Sequence, residues 1–238
     1  MSNTLKIAAV TASLLFIGVG AYASVYARKA RKGNQGAVGA VLQGLGNVIN
    51  DAMGGTVPGA GDPASFVRFA TPYAKQAEKK TGIPFEFAIA QSALETGWGK
   101  KVKGNAFFGI KATGPSYGGW DGNTTCFSTR EEFSLNDWHG WAKAHYEKMG
   151  PVQILGKTAN SIEVQVKDCF RAYGSPFDSF LDWGGMLASN SRYANAMRVR
   201  YDPYAFADAI ARAGYATASN YASALKSVIT TVNSKLAA

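Results

Sequence analysis

Three regimes of hydrophobic patterning divide the chain. Ile7 to Ala27 is a run of 21 residues without a charge, long enough to cross a bilayer as a helix, since about 20 residues cover the hydrocarbon core. In residues 33–61, Val38, Val41, Leu42, Leu45, Val48 and Ile49 recur at helical spacing among many glycines. That pattern fits a short amphipathic helix. Gly39, Gly44 and Gly46 weaken it, and a flexible tether is the alternative.

From Asp62 onward the punctuation is that of well-formed helices. Asp62-Pro63 supplies an N-cap and a first-turn proline. Phe66, Phe69, Ala70, Tyr73, Ala74 and Ala77 make one apolar face, and Gly82 ends the helix. Pro84 opens a second helix that runs to about Glu95, before Gly97. Ser175-Pro176 begins a third, with Phe177, Phe180, Leu181 and Leu187 facing inward. Asp202-Pro203 begins a fourth, closed by Gly214, and Asn220 caps a last one carrying Tyr221, Leu225, Val228, Ile229 and Val232. Residues 105–174 favour strands and loops, with a helical insert near 136–149. The sum predicts an α+β protein, mainly helical with a small β lobe, preceded by an N-terminal transmembrane helix. The predicted boundaries are 1–32 for a membrane anchor with a basic flank, 33–61 for a glycine-rich linker and 62–238 for the folded domain.

Charge sharpens the reading of the N-terminus. The chain has 25 basic and 16 acidic residues, a formal +9. Lys6, Arg28, Lys29, Arg31 and Lys32 against Asp51 put +4 of this in residues 1–61, leaving +5 for the rest. The basic cluster directly behind the apolar run favours a retained anchor, in the membrane via residues 7–27, over cleavage as a signal peptide at Ala21-Tyr22-Ala23. The same cluster conflicts with an extracytoplasmic enzyme, because the positive-inside rule holds residues 28–32 in the cytoplasm. A protein of a phage virion membrane would escape that conflict, so the expected location is the bacterial inner membrane or a virion membrane, with virion or envelope proteins as partners. A mildly basic domain suits an anionic surface. It shows no basic stripe or reading motif, and nucleic acid is not an expected partner.

Two cysteines, Cys126 and Cys169, lie 43 positions apart. They permit one disulfide in an exported chain, with two buried thiols as the alternative. His139 and His145 fall between them, but the spacings match no common metal pattern. No motif indicates a nucleotide, a flavin or a catalytic metal, so no cofactor is expected.

One acid stands out. Glu95 closes the apolar stretch Phe87-Ala88-Ile89-Ala90-Gln91-Ser92-Ala93-Leu94 and precedes Thr96-Gly97-Trp98-Gly99. An acid at a helix C-terminus faces the negative end of the dipole, and apolar neighbours such as Trp98 desolvate it. Both effects raise the pKa, as a proton donor to a glycosidic oxygen requires. A solvated helix-end charge is the alternative.

The segment Ala90–Gly99 resembles the signature of the glucosaminidase family (glycoside hydrolase family 73). The similarity continues through Asn105-Ala106-Phe107-Phe108-Gly109-Ile110-Lys111, Phe170-Arg171-Ala172-Tyr173 and Ser179-Phe180-Leu181-Asp182-Trp183. It resumes at Arg192-Tyr193-Ala194-Asn195-Ala196 and at Ala213-Gly214-Tyr215-Ala216-Thr217 with Asn220-Tyr221-Ala222, covering about residues 64–232 in family order. The resemblance implies a lysozyme-like fold that cleaves peptidoglycan glycan strands between N-acetylglucosamine and N-acetylmuramic acid.

Under that resemblance Glu95 is the general acid, and Thr129-Arg130-Glu131 matches the Thr-x-Glu strand of the second carboxylate. Strand alternation puts Thr129 and Glu131 on one face and Glu132 on the other, so Glu132 is the alternative one register step away. Tyr193 matches a cleft tyrosine. Trp98, Trp120 and Tyr215 are candidates for sugar stacking, with core packing as the alternative, and Asn105 for bracing the loop beside Glu95. About 35 residues, where relatives carry a short hairpin, separate the Glu131 strand from the returning one. That insert is a candidate lid or partner contact. If these two strands pair antiparallel, Cys126 and Cys169 come together at the base of the insert. Two other functions remain open: a lytic transglycosylase, and a non-catalytic wall-binding module of a virion or secretion machine.

Overall fold

A computed structural model of the chain describes residues 57–216, 218 and 220–238. The anchor expected at 7–27 and most of the linker lie outside the described residues. Among the described residues no helix is long and apolar enough to cross a membrane.

The first helix, α1 (Pro63–Thr81), starts and stops where its sequence dictates. Asp62 accepts the Ser65 N–H, Pro63 occupies the first turn, and Gly82 adopts φ 75° while its N–H bonds to the Glu78 carbonyl. The second, α2 (Phe85–Thr96), has almost no polar face: every residue from Phe87 to Ala93 is buried. A helix apolar all round belongs inside a bundle. Accordingly, α2 packs against α1, α7 (Pro203–Arg212) and α8 (Tyr221–Leu236). Asn220 precedes α8 but makes no side-chain capping bond, contrary to the sequence expectation.

The helix α5 (Pro176–Ser189) lies against α1 and carries Gly184-Gly185 in its interior, an unfavourable place for glycine in a helix. Close approach explains the pair. A Cβ on Gly184 would come within 2.9 Å of Thr81 Oγ1, and one on Gly185 within 2.7 Å of the Tyr117 carbonyl oxygen. Aromatic rings fill the space between these helices: Phe108 stacks on Trp183 at 4.2 Å, and Phe87 meets Phe206 edge-on at 4.7 Å.

The β lobe is an antiparallel sheet of order β1-β3-β2, formed by β1 (Thr124–Ser134), β2 (Gln153–Lys157) and β3 (Ser161–Arg171). The insert between β1 and β3 is not a loose loop. It comprises α3 (Leu135–Asp137), a π-helical turn (Trp138–Ala142), α4 (Lys143–Met149) and the unforeseen strand β2. Trp138, Ala142 and Tyr146 pack on Ile162, Val164 and Val166 to build a second, small core on one face of the sheet. Two short segments, Ser191–Tyr193 as a 3-10 turn and α6 (Ala194–Arg198), connect α5 to α7.

Candidate active site

Glu95 lies in the last turn of α2, at the negative end of the helix dipole. It opens onto a cleft of about 560 Å³ whose walls include Thr96, Phe107, Thr125, Phe127 and Phe170. The Glu95 side chain is exposed to the cleft, yet burial by the surrounding protein still raises the carboxyl pKa. One contact works the other way. Gln91, one turn earlier and 1% exposed, donates from Nε2 to Glu95 Oε1 at 2.8 Å and favours the ionised form, without reversing the net upward shift.

Gln91 is itself oriented by Tyr221, whose hydroxyl donates to Gln91 Oε1 at 2.6 Å. The amide oxygen is thereby occupied, so the amide NH2 must face Glu95. Around this pair sit the stacked rings of Tyr215 and Tyr221, 5.8 Å apart, with Tyr193 6.2 Å from Tyr215. Burial pushes the Tyr215 and Tyr221 hydroxyls well above the ordinary tyrosine range, and the Glu95 charge adds to both shifts. These phenols stay protonated. Tyr215 accepts from Trp183 Nε1 at 3.0 Å, which leaves its own proton to donate elsewhere.

The opposite wall comes from the sheet. Thr125, Phe127, Thr129, Glu131 and Phe133 alternate with more exposed residues along β1 and share one face. Thr125, Phe127 and Thr129 line the cleft, and Phe133 packs against the insert core. Glu131 lies between them in register, whereas Glu132 points to the other face, beside Lys157 and Glu163. Glu131 is not a bare carboxylate: Lys111 Nζ donates to its Oε1 at 2.8 Å and also bonds Asp168. Asp168 further accepts from the Tyr146 hydroxyl at 2.9 Å. Burial alone would raise the Asp168 pKa, but the Lys111 and Tyr146 hydrogen bonds outweigh it and hold the carboxyl below its usual range.

Cys126 and Cys169 face each other across β1 and β3 and form a disulfide, with Cα atoms 4.0 Å apart. The bond ties the strands beside Phe127 and Phe170, the stacked aromatic pair of the cleft wall at 4.8 Å.

The remaining sequence candidates are dispersed. Trp98 meets Phe66 edge-on at 5.9 Å, against the helical core. Trp120 lies under the Arg171 guanidinium at 4.2 Å, and its indole donates to the Asn123 carbonyl. Neither belongs to the cleft wall around Glu95. Asn105 is buried at φ 54° and donates to the Tyr173 carbonyl at 3.0 Å, tying the loop after α2 to the end of β3. Sequence reasoning did not single out Gln91, Phe127, Phe170 or Lys111. Gln91 carries a readable signal, since it precedes Glu95 by four residues on a helix and shares its face.

A carboxyl with a raised pKa thus stands in a groove between a helical lobe and a small sheet, the two-lobed arrangement of a lysozyme-like fold. The chain belongs to the glucosaminidase family, described as mannosyl-glycoprotein endo-beta-N-acetylglucosaminidase, which matches residues 71–234. It is 36% identical over 166 residues to the peptidoglycan hydrolase FlgJ of Vibrio parahaemolyticus, covering 67% of this chain and 44% of that protein. The chain thus spans less than half the length of that relative. Among solved structures, the glycoside hydrolase domain of Salmonella typhimurium FlgJ matches with a TM-score of 0.52 at 28% identity. That match covers 73% of this chain and 99% of the solved one. A mutant of a peptidoglycan hydrolase from Sphingomonas sp. A1 matches with the same score and identity, over 73% and 98% of the two chains.

Proposed function

We propose that this chain hydrolyses peptidoglycan glycan strands between N-acetylglucosamine and N-acetylmuramic acid, with Glu95 as the general acid. The carrying observation is the raised pKa of Glu95 at the wall of an open cleft. A protonated carboxyl there delivers its proton to the glycosidic oxygen as that bond breaks. The Phe127–Phe170 pair offers apolar faces to the sugars, while Tyr215 supplies a hydroxyl donor beside Glu95, with the buried Tyr193 packed next to it. Glu131, shared with Lys111, is the second carboxylate. It offsets positive charge developing on the sugar, while water or the substrate's own acetamido oxygen attacks the anomeric carbon.

Digestion of purified sacculi by the full-length chain tests this reading. Mass spectrometry is expected to find N-acetylglucosamine at the new reducing ends. Anhydromuramic ends would make the chain a lytic transglycosylase, and binding without cleavage would make it a wall-binding module. Glu131→Gln is expected to lower kcat by about a hundredfold and Glu132→Gln to leave it near wild type. The reverse pattern would transfer the role to Glu132.

The Gln91 hydrogen bond gives a pH test. Because it stabilises the ionised carboxyl, Gln91→Met raises the Glu95 pKa further. Activity requires the protonated form and is lost as pH rises through that pKa. The alkaline limb of the pH–rate profile is therefore expected to move to higher pH. A limb that stays in place or moves down would remove Glu95 as the group being titrated.

The anchor and location follow from different observations. We propose that residues 7–27 hold the chain in the bacterial inner membrane or a virion membrane. The Cys126–Cys169 disulfide supports catalysis outside the reducing cytoplasm. A virion role, with virion or envelope partners, rests on the charge asymmetry of residues 28–32 alone.

A further inference from the structure

Beyond the acid and the aromatic pair, the cleft carries Lys100, Lys101 and Lys103 from the segment that follows α2. All three side chains are exposed, and none forms an ion pair among the described residues. Lys103 is anchored, with Nζ 5.0 Å from the centre of the Phe127 ring. Glu95 is the one acid among the described lining residues, so with its proton on, the cleft wall is cationic. The lysines do not tune that acid: burial and Gln91 account for its shift.

Neutral sugar rings give three unpaired ammonium groups nothing to bind by charge. A stem-bearing glycan does, because the peptides amide-linked to N-acetylmuramic acid carry free carboxylates close to the scissile linkage. Resting on the peptidoglycan reading above, we propose that Lys100, Lys101 and Lys103 form a subsite for stem-peptide carboxylates. The enzyme thereby prefers glycan that still bears peptides over bare glycan. Cleft walls of one sign concentrate ligands of the other, an effect that salt weakens.

The test compares kcat/KM of the full-length chain on two probes from one batch of sacculi freed of anionic wall polymers. One probe keeps its stem peptides; the other has been stripped by an amidase, and the lactyl carboxylates this exposes have been capped as neutral methylamides. The wild type is expected to favour the first by about tenfold, as three exposed charge pairs together allow. That preference shrinks as salt rises. The Lys100→Gln/Lys101→Gln/Lys103→Gln variant is expected to lose about tenfold on stem-bearing glycan and less than about threefold on bare glycan. The corresponding triple arginine variant keeps the preference, which separates charge from loss of fold. Equal rates on both probes for the wild type, or an equal loss on both for the glutamine variant, would overturn the subsite. Retention on the two immobilised glycans is measured in parallel. Should neither probe be cleaved, the hydrolase reading falls, and preferential retention on stem-bearing glycan still decides for or against the lysines.

Discussion

Glu95→Gln is expected to cut the rate of glycan cleavage by about 10²- to 10⁴-fold, the range over which a positioned general acid contributes. Glutamine keeps the size and the capacity to contact Gln91 but has no proton to give to a departing oxygen. The fold should not suffer. Burial raises the Glu95 pKa in the folded state, so its contribution to stability is full below the unfolded carboxyl pKa and is lost as pH rises through the folded one. Above the folded pKa an ionised side chain is therefore a cost, which a neutral amide relieves. Reducing-end release from sacculi and a thermal melt at neutral pH read the two effects separately. A variant that retains more than about a tenth of the rate would remove Glu95 as the proton donor. A collapse of the melting midpoint would show that Glu95 serves structure instead.

Much of this site is legible without coordinates because its signals are local. The placement of Glu95 depends on one helix, Phe85–Thr96, whose continuous apolar run and terminal Gly97 can be read directly. The opposition of Glu131 and Glu132 follows from strand alternation alone. What escaped the sequence depends on contacts between distant segments. Tyr221, read as part of an apolar helix face, reaches Gln91 across 130 positions, and no periodicity marks that bond. Trp98, at φ 58° just past the helix end, meets the Phe66 ring edge-on, a contact between segments that no local pattern marks. The insert showed its helix in advance but not β2 or its private core, because short apolar stretches around Ile154 and Ile162 carry no pairing information. Gly184-Gly185 reads as helix weakness until Thr81 and Tyr117 are seen pressed against it.

Arg171 and Asp182 carry the second large expected effect. Each sits in a motif of the family resemblance, but only the fold shows that they pair. Arg171 Nη1 meets Asp182 Oδ2 at 2.7 Å, with the two side chains 2% and 0% exposed. Every other polar atom is used. Arg171 also donates to the carbonyls of Lys111, Thr113 and Pro115, while Asp182 accepts from the Tyr173 hydroxyl and the Tyr117 N–H. The pair thus fastens the loop that presents Lys111 to both β3 and α5. Asp182→Ala strands a buried guanidinium and two donors, a change that typically costs about 3–5 kcal/mol. Chemical denaturation of the full-length chain should show that loss. An apolar replacement of both partners, Arg171→Met with Asp182→Leu, removes the stranded charge and should regain part of it. Recovery stays incomplete because the loop carbonyls lose their donors. The loop links stability to chemistry: once it loosens, Lys111 no longer holds Glu131. Under conditions where Asp182→Ala is still folded, kcat should therefore fall toward that of Glu131→Gln. A loss under about 1 kcal/mol would mean that water enters and solvates Arg171, and that the loop is held by other contacts.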